Sequence, residues 1–213
     1  MKTEQTNFWE SEFGKEYTDR NTYTHEGLNN YYITNYGISK DKLNQDFLGS
    51  LDKNTKILEV GCNVGMQLNA LQKMGFTNLH GIELQDYAVE KSKTITKGIN
   101  IIQASGFAIP FEDNSFDLVY THGVLIHINP NDLPKIMGEM TRVSANYIWG
   151  FEYYNEEVKQ INYRGHDGFM WKGDYCDLFQ KKNPKLKVVK KTLYPYVTES
   201  NKANKDCMYL LSK

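Results

Sequence analysis

The 213-residue sequence predicts an α/β protein: a doubly wound, mostly parallel seven-stranded sheet with N-terminal helices and an antiparallel C-terminal strand pair. Three observations predict it. Short apolar runs alternate with amphipathic runs of about 10–15 residues between Lys56 and Glu152, as βαβ units require. A glycine-bearing turn, Gly61 to Gly65, directly follows the first apolar run. A carboxylate, Glu83, closes the second. Length favours one domain, divided into a helical cap over 1–51, a cofactor-binding core over 55–152 and an acceptor segment with the last strands over 153–213.

In the cap, Phe8-Trp9, Phe13 and Tyr17 recur at helical spacing, and Leu28, Tyr31-Tyr32 and Tyr36 repeat the pattern. A period near 3.6 predicts two or three short helices, which Gly14, Gly27 and Gly37 weaken or end. In the core, residues 56–60 form the first strand. Met66, Leu68, Leu71 and Met74 share one face of a helix that stops at Gly75. Residues 79–83 are the second strand, followed by a helix over 87–96. Residues 99–103 and 116–120 are the third and fourth strands. A helix over 131–141 leads to the fifth strand at 146–151. A polar, aromatic stretch to Trp171 shows no apolar periodicity. A helix near 172–181 and strands at 186–193 and 206–211 complete the chain, and their short connection pairs those strands antiparallel.

Composition excludes several function classes. Lys and Arg total 25 against 26 Asp and Glu, which leaves no global basic footprint for nucleic acid. No run approaches 18 apolar residues, so no membrane span is expected. The first 30 residues are dense in Lys, Glu and Asp and lack the apolar stretch of a secretory leader. Cys62, Cys176 and Cys207 are widely spaced and in no CxxC pair, as expected for free thiols of a cytoplasmic protein without a metal site. The 15 Tyr concentrate in the first 36 residues and in 147–175. Their apolar bodies and polar tips suit a wet pocket or a hydroxyl-satisfied core equally. The lysines from Lys181 to Lys191 read as a solvated face.

In a doubly wound sheet, ligands bind beyond the carboxyl ends of the strands at the switch point. Glu59-Val60-Gly61-Cys62-Asn63-Val64-Gly65 stands there. Gly61 permits a tight turn, Gly65 a close start to the next helix, and Asn63 tolerates a left-handed backbone. Glu83, 22 residues past Gly61, can accept both hydroxyls of a ribose. A GxGxxG fingerprint would need glycines at 61, 63 and 66; Asn63 and Met66 stand at two of these. A cofactor with a ribose but no pyrophosphate therefore fits better than a dinucleotide.

Ile57-Leu58-Glu59-Val60-Gly61-Cys62-Asn63-Val64-Gly65 resembles motif I of class I S-adenosylmethionine-dependent methyltransferases, usually ExGxGxG, with Asn63 at the middle glycine. Glu83 matches that family's ribose-binding acid. Residues 109–119 resemble the loop and fourth strand after the adenine contact, and Val124-Leu125-Ile126-His127-Ile128 the helix that follows. The resemblance covers about 55–152 and implies a Rossmann-like class I fold, S-adenosyl-L-methionine as cofactor, and methyl transfer. The flanks, Phe8 to Asn21, Glu152-Tyr153-Tyr154 and Tyr163-Arg164-Gly165-His166-Asp167-Gly168, resemble the methylases associated with pseudaminic acid biosynthesis. That narrower resemblance implies a small-molecule acceptor, an anionic sugar or nucleotide-sugar of a surface-glycan (nonulosonic acid) pathway.

Carried onto this sequence, the resemblance implies that Glu59 orients the methionine end of the cofactor and that Ser105 and Gly106 meet its adenine. Cys62, Leu84 and Thr121 join Gly61, Asn63, Gly65 and Glu83 in the cofactor set. Tyr17 and Arg20 lie on an N-terminal helix placed to cover it, the Arg suited to a carboxylate. Candidate bases are His122 after strand four, Glu152 ending strand five and His166 in the polar stretch; His127 reads first as a packing group. Tyr153, Tyr154 and Arg164 are the acceptor candidates, the rings for a sugar face and the Arg for an acidic group. A nucleotide-cofactor oxidoreductase is disfavoured by Asn63 and Met66, and a non-catalytic binding protein by Gly61, Gly65 and Glu83. The sequence assigns no oligomeric state.

Overall fold

The computed structural model describes residues 2–213. Four helices open it: α1 (Glu4–Glu10), α2 (Glu12–Arg20), α3 (His25–Tyr36) and α4 (Lys40–Leu48). Each starts at a hydroxyl cap, respectively Thr3, Ser11, Thr24 and Ser39, whose side chain accepts a first-turn N–H. The expected two or three helices are thus four. Of Gly14, Gly27 and Gly37, Gly37 alone ends a helix, in the left-handed region at φ 72°. Gly14 lies inside α2, where a Cβ would stand 2.0 Å from the Trp9 carbonyl oxygen and 2.6 Å from Gln85 Nε2.

The alternation then holds: β1 (Lys56–Val60), α5 (Met66–Lys73), β2 (Asn78–Glu83), α6 (Asp86–Ile95), β3 (Asn100–Gln103), β4 (Phe116–His122), α7 (Leu133–Val143) and β5 (Ser144–Tyr153). The expected helix at Val124–Ile128 is a single 3-10 turn, Leu125–His127. The polar stretch contains a two-residue hairpin, β6 (Lys159–Gln160) with β7 (Trp171–Lys172). After α8 (Tyr175–Lys182), β8 (Lys187–Pro195) and β9 (Lys205–Ser212) pair antiparallel.

The seven-stranded sheet has the order β3-β2-β1-β4-β5-β9-β8. β1 pairs in parallel with both β2 and β4, so the switch point lies where the glycine turn leaves β1. β9 inserts between β5 and β8 and is antiparallel to both. Alternating side chains feed two cores, one on each face. Leu58, Val119, Ile148 and Tyr209 go to one with α7 and α8 residues such as Ile136 and Phe179. Ile57, Leu118, Trp149 and Leu210 go to the other with Leu43, Phe47 and Leu68. Cys62, Cys176 and Cys207 are free and buried. Among the described residues no helix is long and apolar enough to cross a membrane.

Candidate active site

A cavity of about 510 Å³ opens along the carboxyl edge of β1, β2, β4 and β5, beneath α1, α2 and α3. Its floor is the turn after β1. Gly61 (φ 74°), Asn63 (φ 49°) and Gly65 (φ 77°) all take left-handed backbone. That conformation explains two of the three residue types through glycine's freedom and the third through the tolerance of Asn. Glu83 ties the floor together: one carboxylate oxygen accepts the Asn63 N–H at 2.8 Å, the other the Gln85 N–H at 2.9 Å. Each oxygen keeps a second lone pair for a ligand. Desolvation raises the Glu83 pKa, and these backbone bonds oppose the rise.

Glu59 is buried at the end of β1 and accepts the Tyr120 hydroxyl at 2.9 Å. Burial pushes its pKa up to about 8. Lys40, 0% exposed, has an ammonium without a hydrogen-bond partner. It stands over the rings of Tyr32, Phe151 and Trp149 at 4.9, 5.2 and 5.7 Å. Burial lowers its pKa to about 7, while the negative charge of Glu59 works to raise it.

Gln85 fastens the roof. Its amide nitrogen donates to the Trp9 carbonyl at 3.0 Å, and its oxygen accepts the Thr18 hydroxyl at 3.3 Å. Trp9 and Tyr17 thereby face the cavity. On the far wall stand His122, His127, Glu152, Tyr153, Tyr163 and Arg164. His122 stacks on Phe151 at 5.3 Å and shares a 2.6 Å hydrogen bond with the Tyr32 hydroxyl. Desolvation, reinforced by the Lys40 charge, holds it well below the usual imidazole range. The His127 ring packs against Trp9 and Tyr163, with centroids 4.6 and 4.9 Å away. Its Nδ1 lies 2.8 Å from the Phe169 carbonyl oxygen, so Nδ1 carries the proton and Nε2 the lone pair. Burial lowers the His127 pKa to about 4.

Known proteins share parts of this sequence and this fold. Residues 58–146 match a family model described as a methyltransferase domain. That stretch, about two-fifths of the chain, is similar to a methyltransferase domain. A phosphoethanolamine N-methyltransferase of Plasmodium falciparum is 26% identical over 57% of this chain and 49% of that relative. The chain spans about half the length, or less, of the curated relatives it matches. Among solved structures, a protein of Pyrococcus horikoshii superposes with TM-score 0.67 at 17% identity over 92% of this chain and 94% of that one. A structure described as SAM-dependent methyltransferases of Methanosarcina mazei gives TM-score 0.64 at 16% identity, over 78% and 95%. The fold is that of class I methyltransferases, Rossmann-like and mostly parallel. S-adenosyl-L-methionine is the cofactor that the domain implies.

The cavity's polar atoms fit that cofactor. Asn63 Oδ1 and Trp9 Nε1 are buried in its wall without a hydrogen-bond partner in the protein. They would complement polar edges of an adenosyl-methionine, and Glu83 lines the same cavity from the end of β2. Tyr17, Glu59, Gly61, Cys62, Asn63, Glu83, Leu84, Ser105 and Gly106 all line this cavity. So do His122, Glu152, Tyr153 and Arg164. Arg164 occupies the tip of a two-residue hairpin turn (φ 51°, followed by Gly165 at 89°), closed by reciprocal backbone bonds between Tyr163 and His166.

Five expected positions lie elsewhere. Arg20 is exposed and pairs with Glu16 at 3.2 Å, because the helix turns it past the face that Tyr17 presents. His166 is exposed on the outside of the hairpin, edge-on to Phe8 and Phe13. Tyr154 follows Tyr153 by one residue and so faces the other way, against Lys191 and Lys205. Thr121 is fully buried behind the wall. Gly65 lies under the turn, where a Cβ would meet Ile101 Cδ1 at 2.7 Å and Thr96 Cγ2 at 3.0 Å. Packing and backbone conformation both require glycine here. Gly65→Ala is therefore expected to destabilise the fold by about 2–4 kcal/mol, from left-handed strain plus overpacking. Urea unfolding measures this, and an unchanged midpoint refutes it.

Glu152 lines the cavity but is engaged: its carboxylate accepts the N–H groups of Val124 at 3.2 Å and Ile126 at 3.4 Å. It holds the 3-10 turn that presents His127. Burial raises its pKa to about 7. Sequence reasoning gave His127 to packing and passed over Lys40 and Asp206. The only signal for His127 was a single imidazole within an apolar run after β4.

Proposed function

We propose that the chain is an S-adenosylmethionine-dependent methyltransferase acting on oxygen or nitrogen of a small-molecule acceptor. The observation that carries this reading is the floor: the Glu83 carboxylate bonded to the N–H groups of Asn63 and Gln85, at the switch point and open to the cavity. Glu83 would hold the ribose hydroxyls, Ser105 and Gly106 the adenine edge, and Glu59 the methionine end. Bound there, the cofactor supplies a sulfonium methyl for in-line displacement. The roof of Trp9 and Tyr17 excludes water and fixes alignment, which contributes about 7–11 kcal/mol in well-oriented reactions. His127 Nε2 accepts the proton that an acceptor hydroxyl or ammonium must lose, since Phe169 fixes the tautomer that leaves Nε2 free.

The acceptor in this reading is a sugar or nucleotide-sugar of a surface-glycan pathway, in a cytoplasmic setting that the three free thiols support. The flanking resemblance supports it, as do the Tyr153 and Tyr163 rings in the wall and Arg164 at the rim. Arg164→Ala is expected to raise the acceptor KM about 10–100-fold through loss of a charge-assisted bond, with cofactor affinity unchanged. Steady-state kinetics with the identified acceptor test this; an unchanged KM returns Arg164 to the solvated surface. Two experiments test the whole reading. Calorimetry should show binding of S-adenosylmethionine and none of NAD. A metabolite extract incubated with methyl-labelled cofactor should yield a labelled small molecule by mass spectrometry. Tight NAD binding, or no label transfer, overturns it.

A further inference from the structure

Asp206 lies at the start of β9, which pairs with β5 so that Asp206 stands beside Tyr153. Glu83 ends β2, four strand positions away across the sheet, which is about 19 Å at ordinary strand spacing. The two carboxylates thus mark opposite ends of one cavity.

Asp206 is 6% exposed. Its Oδ2 accepts the Tyr36 hydroxyl at 2.5 Å and the Tyr196 hydroxyl at 3.4 Å. Its Oδ1 is buried without any hydrogen-bond partner in the protein. No described cation forms an ion pair with it. Lys172 stands over the Tyr153 ring, and its ammonium is hydrogen-bonded to Asn204. Lys40 sits among aromatic rings and does not line the cavity. Around the carboxylate the rings form a wall: Tyr36 to Tyr196 at 4.6 Å and Tyr153 to Tyr196 at 5.9 Å between centroids. A buried carboxylate with an unpaired oxygen is unfavourable alone and favourable with a counter-ion. Aromatic faces attract cations and are indifferent to neutral groups of the same shape. Burial holds the Asp206 pKa up, to about 7, against the opposing pull of the Tyr36 and Tyr196 hydroxyls and the more distant charges of Lys172 and Lys40.

We infer that this end of the cavity binds a cationic nitrogen of the acceptor, with Asp206 Oδ1 as its counter-ion and the rings of Tyr36, Tyr153 and Tyr196 as its wall. The inference rests on the cavity being the active site of a methyltransferase, and it adds to that reading. With Arg164 at the rim, the acceptor carries separated opposite charges: an amine at Asp206 and an anion at Arg164.

The test uses the full chain saturated with S-adenosylhomocysteine. It is titrated with choline and with 3,3-dimethylbutan-1-ol, which has the same shape and no charge. The parent is expected to bind choline at least about tenfold more tightly than the alcohol. Asp206→Asn, which keeps an acceptor for Tyr36, should lose that preference while S-adenosylhomocysteine affinity stays constant. Where Asp206→Asn does not fold, Tyr153→Leu at the half-buried wall carries the test and should reduce choline binding about tenfold. Equal affinity for the two probes in the parent overturns the inference, as does a choline preference that survives the folded variant. A parent that fails to bind S-adenosylhomocysteine overturns the cofactor reading instead, and the choline preference is then read on the free protein.

Discussion

Replacing His127 with Asn is expected to lower kcat about 10²–10⁴-fold, the range that a positioned base contributes. The substitution is chosen for its geometry. An Asn amide can still donate to the Phe169 carbonyl that now receives the His127 Nδ1–H, so the 3-10 turn keeps its anchor. The Nε2 lone pair is lost, together with the ring's packing against Trp9 and Tyr163. Cofactor affinity and the KM of the acceptor should change little. The pH dependence separates a base from a packing group. With its pKa lowered to about 4 by burial, His127 is neutral at pH 7, and the parent's kcat/KM should fall only as pH drops toward that value. The same shift has a stability sign. An unfolded imidazole, with pKa about 6.5, binds its proton before the native one does. Native stability therefore falls as pH drops from about 6.5 toward 4, and the Asn variant should show a shallower decline. Kinetics with the acceptor identified by labelling, together with urea titrations at several pH values, measure both effects. A variant with normal kcat and the parent's acid profile would make His127 a wall residue only.

Glu83→Ala is expected to weaken S-adenosylmethionine binding about 100-fold, and Glu83→Gln about tenfold. The difference follows from the two tasks of this side chain. Its oxygens accept the Asn63 and Gln85 N–H groups and so hold the turn and the roof anchor in place. Their remaining lone pairs face the cavity, where two ribose hydroxyls would donate. Gln keeps one acceptor and loses the charge; Ala loses both tasks and leaves two N–H groups unpaired. Because desolvation raises the Glu83 pKa, its protonation begins above the ordinary Glu range on acidification. Cofactor affinity should therefore decline as pH falls into that region, and the decline should be absent in Glu83→Gln. Calorimetric titration across pH measures this. Parent-like affinity in the Ala variant would remove Glu83 from the cofactor site.

The sequence by itself determined what depends on near neighbours. A strand's apolar run, a helix's 3.6-residue period and a left-handed turn residue are all set within a few positions. β1 to β5 and the turn at Gly61, Asn63 and Gly65 were legible for that reason. Glu83 was legible because the switch point of a doubly wound sheet is fixed by strand order. Tertiary structure alone decided which neighbouring side chain faces inward. Tyr153 enters the cavity and Tyr154 leaves it because strand side chains alternate. Arg164 reaches the rim because it sits in the two-residue turn, and His166 lies outside because it follows that turn. Arg20 and Tyr17 share a helix whose rotation is set by Gln85, over 60 residues away. Asp206 and Lys40 carried no sequence signal. Asp206 comes to the cavity through the insertion of β9 beside β5, and Lys40 is buried behind its wall through α4 packing under Tyr32 and Phe151. Such long-range pairings are stabilised by burial of the whole sheet, a property that no local stretch of sequence contains.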